Sequence, residues 1–240
     1  EIASCLVGSE MCIRDSYTPQ GVIHDTNLNA AFIAQQLSRL GDVNESYSYW
    51  TFGDVFEELG VPFTPFHGGF GLVANGCITK PTFWTFAFYK KLEESEANCV
   101  YKDDNIVVLK RANGDYLGVA WNIARKSTEQ GKGKMLLEFT FPAEQEEYCF
   151  LTKTVDEETC NPLKVWHDMG EPANLSEEQT KLIRESSRPF VKTERKKQED
   201  GNICVELPVN ENGVVYFELN AGKVNPDRGY DYDRVVSLKA

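Results

Sequence analysis

Two adjacent carboxylates, Glu57 and Glu58, stand in a polar stretch that follows Trp50 and precedes the glycine-rich string HGGFG at residues 67–71. Ionised carboxylates accept strong, charge-assisted hydrogen bonds. An indole offers a broad apolar face. These residue types together suit a polar ligand with an apolar side. Sugars are such ligands, with hydroxyls that donate to carboxylates and C–H faces that lie on indoles. The bland reading of two neighbouring acids is a solvated loop. Neighbouring side chains also diverge, so the pair is poorly placed to flank one scissile bond.

The element that must carry Trp50 reads as a strand. Across residues 46–52, Ser46, Ser48, Trp50 and Phe52 share one face, and Tyr47, Tyr49 and Thr51 share the other. The strand is expected to end in a long loop bearing the two acids, and a connection of that length suggests function. Upstream, Asp25 or Thr26 is expected to cap a helix that runs to Leu40 and stops at Gly41. Ala30, Ile33, Ala34, Leu37 and Leu40 recur at helical spacing as its buried face, and His24 and Asp25 read as its opening. Downstream, Pro81 opens a second helix, PTFWTFAFYKKL, whose lysines suit its C-terminus. Its Phe83, Trp84, Phe86 and Phe88 occupy a helix flank and read as packing, not as a sugar platform. Helix–strand–loop–helix is the repeating unit of an α/β barrel, whose active sites are built from loops at the C-terminal ends of the strands.

After about Glu96 the period changes from helical to two. Strands are expected at 106–110 and 116–123, around the hairpin signal Asn113-Gly114, then at 135–141 and 147–154. Ile203, Val205, Leu207 and Val209 alternate, a NENG turn follows, and Val215, Phe217 and Leu219 resume the pattern. This predicts an antiparallel β-sandwich. It is interrupted at 156–187 by an insert in which Ser176 and Gln179 form a capping box. The box opens a short helix with Leu182 and Ile183 inward. His167, in the same insert, reads as a surface residue.

The chain has 240 residues, 41% hydrophobic and 26% charged, with a net charge of −12. That balance argues against a nucleic-acid partner, which needs clustered Lys and Arg, and fits a neutral substrate. With no apolar run near 18 residues, no membrane span is expected. The seven cysteines show no CxxC pair and no Cys/His metal spacing. They read as mostly reduced thiols, and no cofactor or metal is expected. No secretory signal is visible, which leans toward a cytoplasmic compartment, but with the true N-terminal part expected to be missing the sequence leaves the compartment open. Residues 1–15, EIASCLVGSEMCIRD, fit nothing that follows. LVGSEMCIRDS looks like a translated sequencing-adapter sequence, so these residues are read as a foreign leader, with the true N-terminal part expected to be missing.

SYTPQGVIHDTNLNAAFIAQQL, SYSYWTFGDVFEELGVPFTPFHGGFGL and KPTFWTFAFYKKL resemble the end of the catalytic barrel of glycoside hydrolase family 39, the β-xylosidases. NPLKVWHDMGEP and SSRPFVKTE are similar to that family's C-terminal portion. The resemblance implies the C-terminal units of a (β/α)8 TIM barrel at residues 16–95, then an antiparallel β-sandwich at 96–240 with the helical insert. In function it implies a fragment of a retaining hydrolase, a xylan 1,4-β-xylosidase acting on xylo-oligosaccharides, with oligomerisation open in a full-length protein. Retaining chemistry uses two carboxyl groups about 5–5.5 Å apart. By resemblance, Glu57 and Glu58 hold the terminal sugar's hydroxyls and Trp50 packs on the sugar; Tyr17 is a further candidate to line the site, with the reading left open. The family's nucleophile precedes the Ser-Tyr-Thr-Pro segment as Glu-(Trp/Phe)-x-x-Ser-Tyr, which places Cys12 at the nucleophile position. Glu10 shares the strand parity but lies roughly 6.6 Å away. The acid/base belongs to an earlier strand outside this chain, so no catalytic carboxylate is expected to be intact. HGGFG also resembles the oxyanion loop of esterases, but the chain has no GxSxG elbow, and a tight turn needing positive φ is the favoured reading. The alternative function is a non-catalytic carbohydrate-binding or interaction module built on the sandwich.

Overall fold

The structure, a computed structural model, describes residues 21–40, 42, 46–55, 64–123 and 133–222. A 3-10 turn at Val22–Asp25 leads into helix α1, Asn27–Ser38. Ala30, Ile33, Ala34 and Leu37 are buried as the spacing predicts. Leu40 is exposed, because the helix ends two residues before it. The capping expectation also needs correction. Thr26 occupies the N-cap but makes no side-chain cap bond, and Asp25 lies outside the helix.

Residues 46–52 do not form the expected strand. Among the described residues the backbone ladder begins only at Thr51. Thr51 N donates to Phe70 O (3.4 Å), Leu72 N to Thr51 O (3.0 Å), Val73 N to Phe52 O (3.0 Å) and Asp54 N to Val73 O (3.0 Å). Gly53 and Val73 make an isolated parallel bridge. A strand is defined by a partner along its length, and here the partner covers only the end of the segment. The alternation of faces nevertheless holds. Ser46, Ser48, Trp50 and Phe52 are exposed, and Tyr47, Tyr49 and Thr51 are half-buried. A small hairpin follows, β1 (Val73–Ala74) with β2 (Ile78–Thr79), and then α2, Pro81–Glu94, with proline in its first turn.

The later strands are β3 (Asn98–Lys102), β4 (Ile106–Lys110), β5 (Tyr116–Trp121), β6 (Met135–Pro142) and β7 (Glu147–Val155). Helices α3 (Pro162–Asp168) and α4 (Glu177–Ser186) interrupt them before β8 (Phe190–Lys197), β9 (Asn202–Val209) and β10 (Val214–Ala221). A six-stranded sheet runs β3-β4-β5-β10-β7-β8, and β6 pairs with β9 in a two-stranded ribbon. Among the described residues these ten strands pair antiparallel throughout. β3, β8 and α3 were not legible as elements in the sequence. The capping box of α4 forms as expected, and Ile183 is buried, but Leu182 is 52% exposed. Successive helical residues are about 100° apart, so a narrow buried stripe takes one of two neighbours and not both.

One face of the sheet meets the ribbon. Ile106, Phe150, Val215 and Phe217 pack there against Val205 and Leu207, with the Phe139 and Phe217 rings stacked at 5.8 Å. The other face meets the helices, where Ala30 and Ala34 of α1 and Phe88 of α2 lie on Val119 and Tyr216. Phe88 stacks on Tyr216 at 5.4 Å. β10 is therefore buried on both sides, which is why it begins with a continuous apolar run and not with alternation. A third cluster, Phe66, Ala74, Ile78, Trp166 and Ile183, seats the insert on residues 64–79.

Candidate functional site

Tyr49 and Trp50 point to opposite sides of their segment. The Tyr49 hydroxyl accepts from Asn29 Nδ2 of α1 (3.3 Å), and its ring meets Phe86 of α2 edge-on at 5.4 Å. With Tyr49 held between the two helices, the indole of Trp50 is turned outward and is 53% exposed. The aromatic flank of α2 serves packing. Phe88 is buried, and Trp84 Nε1 donates to the Ser187 carbonyl at 2.6 Å.

Four residues past Trp50, the chain enters a buried ionic cluster. Lys80 Nζ lies 2.6 Å from Asp25 Oδ1 and 2.7 Å from Asp54 Oδ2, and donates to the Gly69 carbonyl at 2.8 Å. The free oxygens of both aspartates take backbone donors. Gly68 N donates to Asp25 Oδ2 and Gly71 N to Asp54 Oδ1, each at 2.6 Å. Burial pushes the Asp25 carboxyl above its ordinary value, against the Lys80 ammonium and the Gly68 N–H, which favour its charged form. The cluster ties together the start of α1, the end of the Trp50 segment, the glycine string and the residue before α2.

The HGGFG glycines are explained by this cluster. Gly68 has φ +76, the positive value the turn reading expects. Gly69 and Gly71 answer a different need, close approach. A Cβ on Gly69 would meet Asp54 Oδ1 at 2.6 Å, and one on Gly71 would meet Asp54 N at 2.4 Å.

Beside the string is a groove of about 480 Å³, lined among others by Asp25, Phe66, His67, Gly68, Leu163 and Trp166. It joins the glycine string to the insert, and Phe66 and Trp166 meet there at 5.7 Å. His167 stays on the surface and pairs with Glu171 at 2.6 Å. Among the described residues no group of three His, Cys, Asp or Glu could hold a metal, and no helix is long and apolar enough to cross a membrane.

Of the residues the sequence singled out, Trp50 is placed as an exposed indole. Glu57, Glu58, Tyr17, Cys12 and Glu10 lie outside the described residues. Sequence reasoning missed Asp25, Asp54 and Lys80 as a unit. Asp25 stands where a helix cap would, and Lys80 precedes a helix proline where a solvated lysine is ordinary. The one signal in the chain was the string itself, since three glycines in five residues imply that something approaches closely.

The family model for glycosyl hydrolases family 39 matches residues 9–204. The chain is 38% identical over 205 residues to a beta-xylosidase of Geobacillus stearothermophilus, an alignment covering 85% of this chain and 39% of that protein. It is 31% identical over 216 residues to a beta-xylosidase of Caldicellulosiruptor saccharolyticus, covering 87% and 43%. The chain thus spans about two fifths of the length of these curated relatives, and it matches their C-terminal part. Among solved structures, a monomeric beta-xylosidase from Caulobacter crescentus CB15 superposes with a TM-score of 0.72 at 26% identity, covering 87% of this chain and 44% of that one. The enzyme of the same family from Xanthomonas axonopodis pv. citri gives 0.72 at 24% identity, covering 86% and 43%, a likeness of fold.

Proposed function

Because the chain belongs to glycosyl hydrolases family 39, we propose that it is part of a retaining glycosidase that removes xylosyl units from short β-linked xylo-oligosaccharides. The observation that carries this reading is the 38% identity over 205 residues to a protein named as a beta-xylosidase. In this reading residues 16–95 are the last units of a (β/α)8 barrel and residues 96–240 a β-sandwich with its insert. The likeness in fold to solved enzymes of the family supports that division.

Trp50 is the apolar platform for the terminal sugar, Glu57 and Glu58 receive its hydroxyls, and Tyr17 lines the same site. The outward indole supports the first of these roles. A xylopyranose has ring C–H bonds on its faces and hydroxyls at its rim. An indole below and carboxylates at the edge would remove its apolar face from water while satisfying its donors. Bond cleavage needs two further carboxyl groups on either side of the anomeric carbon, one attacking and one donating a proton. Asp25 and Asp54 do not supply them, being committed to Lys80 and to backbone N–H groups. With Cys12 at the nucleophile position, the chain as written is expected to bind xylosides without turning them over.

Titration with xylobiose, followed by indole fluorescence, tests the reading. A saturable change is expected that is lost in Trp50→Ala, with no p-nitrophenol released from p-nitrophenyl β-xyloside. A xylobiose response untouched by Trp50→Ala would overturn the platform role of the indole. Appreciable turnover by this chain would overturn the loss of the nucleophile.

A further inference from the structure

The side chains of Lys80, Asp25 and Asp54 are 0%, 2% and 0% exposed, so the cluster is closed off from water. What it does touch is the backbone of the glycine string, which pairs with the end of the Trp50 segment. Lys80 Nζ joins Asp54, at the end of the Trp50 segment, to the Gly69 carbonyl of the glycine string. Asp54 Oδ1 adds the Gly71 amide, and the Lys80 amide itself donates to Leu72 O at 2.9 Å. Together these contacts hold residues 69–72 between Asp54 on one side and Lys80 on the other. The ladder from Thr51 to Asp54 therefore rests on a partner rich in glycine, the residue with the most conformational freedom to lose.

A buried ion cluster is weak evidence for stability, since an apolar replacement of similar shape is often as stable. Its better-attested use is to select one geometry among several. Here the geometry selected is that of the strip bearing an exposed indole.

We propose that Lys80 is a positioning residue for the Trp50 subsite. By locking Asp54 to the Gly69 carbonyl it fixes the direction of the indole, and so sets the affinity of the subsite for a neutral pyranoside that it never contacts. The affinity half of this inference rests on the reading of Trp50 as a sugar platform. The positioning half does not.

The chain labelled with 5-fluorotryptophan gives one ¹⁹F resonance for each of its four tryptophans. The Trp50 signal is the one absent from Trp50→Phe. Two variants are compared with the wild type. The triple change Asp25→Asn, Asp54→Asn and Lys80→Met removes every charge of the cluster at nearly constant shape. Lys80→Arg keeps the charge but replaces a compact head that serves three oxygens with a planar fork.

In the triple variant the Trp50 resonance is expected to broaden or shift while Trp121, buried in the sheet, keeps its position. The xylobiose midpoint is expected to rise about tenfold, equivalent to about 1.4 kcal/mol. A folded triple variant with an unmoved Trp50 resonance and an unchanged midpoint overturns the proposal. Should the triple variant fail to fold, Lys80→Arg decides in the same way, a displaced Trp50 signal supporting positioning and an unmoved one refuting it. If the wild type shows no xylobiose response, the sugar reading of Trp50 fails, yet the Trp50 resonance across the variants still decides whether Lys80 fixes the indole.

Discussion

Phe217 and Lys80 are both 0% exposed, yet their surroundings have little in common. Phe217 lies between Phe139 and Phe150, where the sheet meets the ribbon. Its neighbours are apolar, and the layer holds by removing their surface from water. Lys80 lies between two carboxylates and a carbonyl, beside glycines. Nothing there gains by burial; the groups hold because each buried charge would be costly without the others. The sheet layers make a core that tolerates changes conserving volume. The cluster makes a joint that fails when any one member is lost.

The largest expected effects fall on these two residues, and their size does not separate them. Phe217→Ala is expected to cost about 3–5 kcal/mol through a core cavity. Lys80→Met should cost about as much, 3–5 kcal/mol, by leaving buried carboxylates without their cation. The pattern of the loss distinguishes them. Native-state hydrogen exchange should quicken through β5, β7 and β10 in the Phe217 variant. In the Lys80 variant it should quicken around residues 64–80 and 51–54 first. Parallel losses in both regions for Lys80→Met would mean that the joint and the core unfold as one unit.

The charged region should also respond to pH in a way the apolar one does not. The folded chain holds the Asp25 proton more tightly than the unfolded chain, because burial raises that carboxyl. Its contribution is therefore fully present below the ordinary carboxylate range and is lost as pH rises through the raised value. In urea unfolding across that range, the margin of the wild type over Asp25→Asn should shrink as pH rises. A margin that grows with pH would show that Lys80 and Gly68 outweigh desolvation.

Gly71→Ala puts a methyl group 2.4 Å from Asp54 N, so the strip must shift. A loss of about 1–3 kcal/mol in chemical denaturation is expected. A Gly71→Ala variant as stable as the wild type would mean that the strip gives way easily, which weakens the case for a rigid joint. The smallest effect is expected at Ser176, whose hydroxyl accepts from Gln179 N at 3.2 Å to start α4. Ser176→Ala should cost about 1 kcal/mol. It should not disturb residues 51–54, because the hydrogen bonds of the insert around α4 run to Gly76, Thr79 and Trp84 and its apolar contacts to the Phe66 cluster.

The sequence alone determined the elements whose burial follows a period. Ile203, Val205, Leu207 and Val209 alternate in the chain and are buried in the structure. Ala30, Ile33 and Ala34 fall at helical spacing and lie at 0% exposure. The Ser176–Gln179 box is read from two residues and closes as read. Such features depend on neighbours a few positions away, so they survive in one dimension. The parity that turns Trp50 away from Tyr49 is of the same kind, as is the long family motif around it.

Other decisions belonged to the tertiary structure. Residues 46–52 alternate like a strand, but whether they become one depends on what lies alongside, and the ladder begins only at Thr51. Leu182 and Ile183 are equally apolar, and only the position of the Phe66 cluster decides which is buried. Asp25, Asp54 and Lys80 are separated in sequence by 26 residues or more (54 − 25 = 29; 80 − 54 = 26). Each alone reads as a surface charge or a cap. Charge has no periodicity that marks it as buried. Whether a charged side chain faces water or a partner is set by long-range packing, which brings three segments to one point.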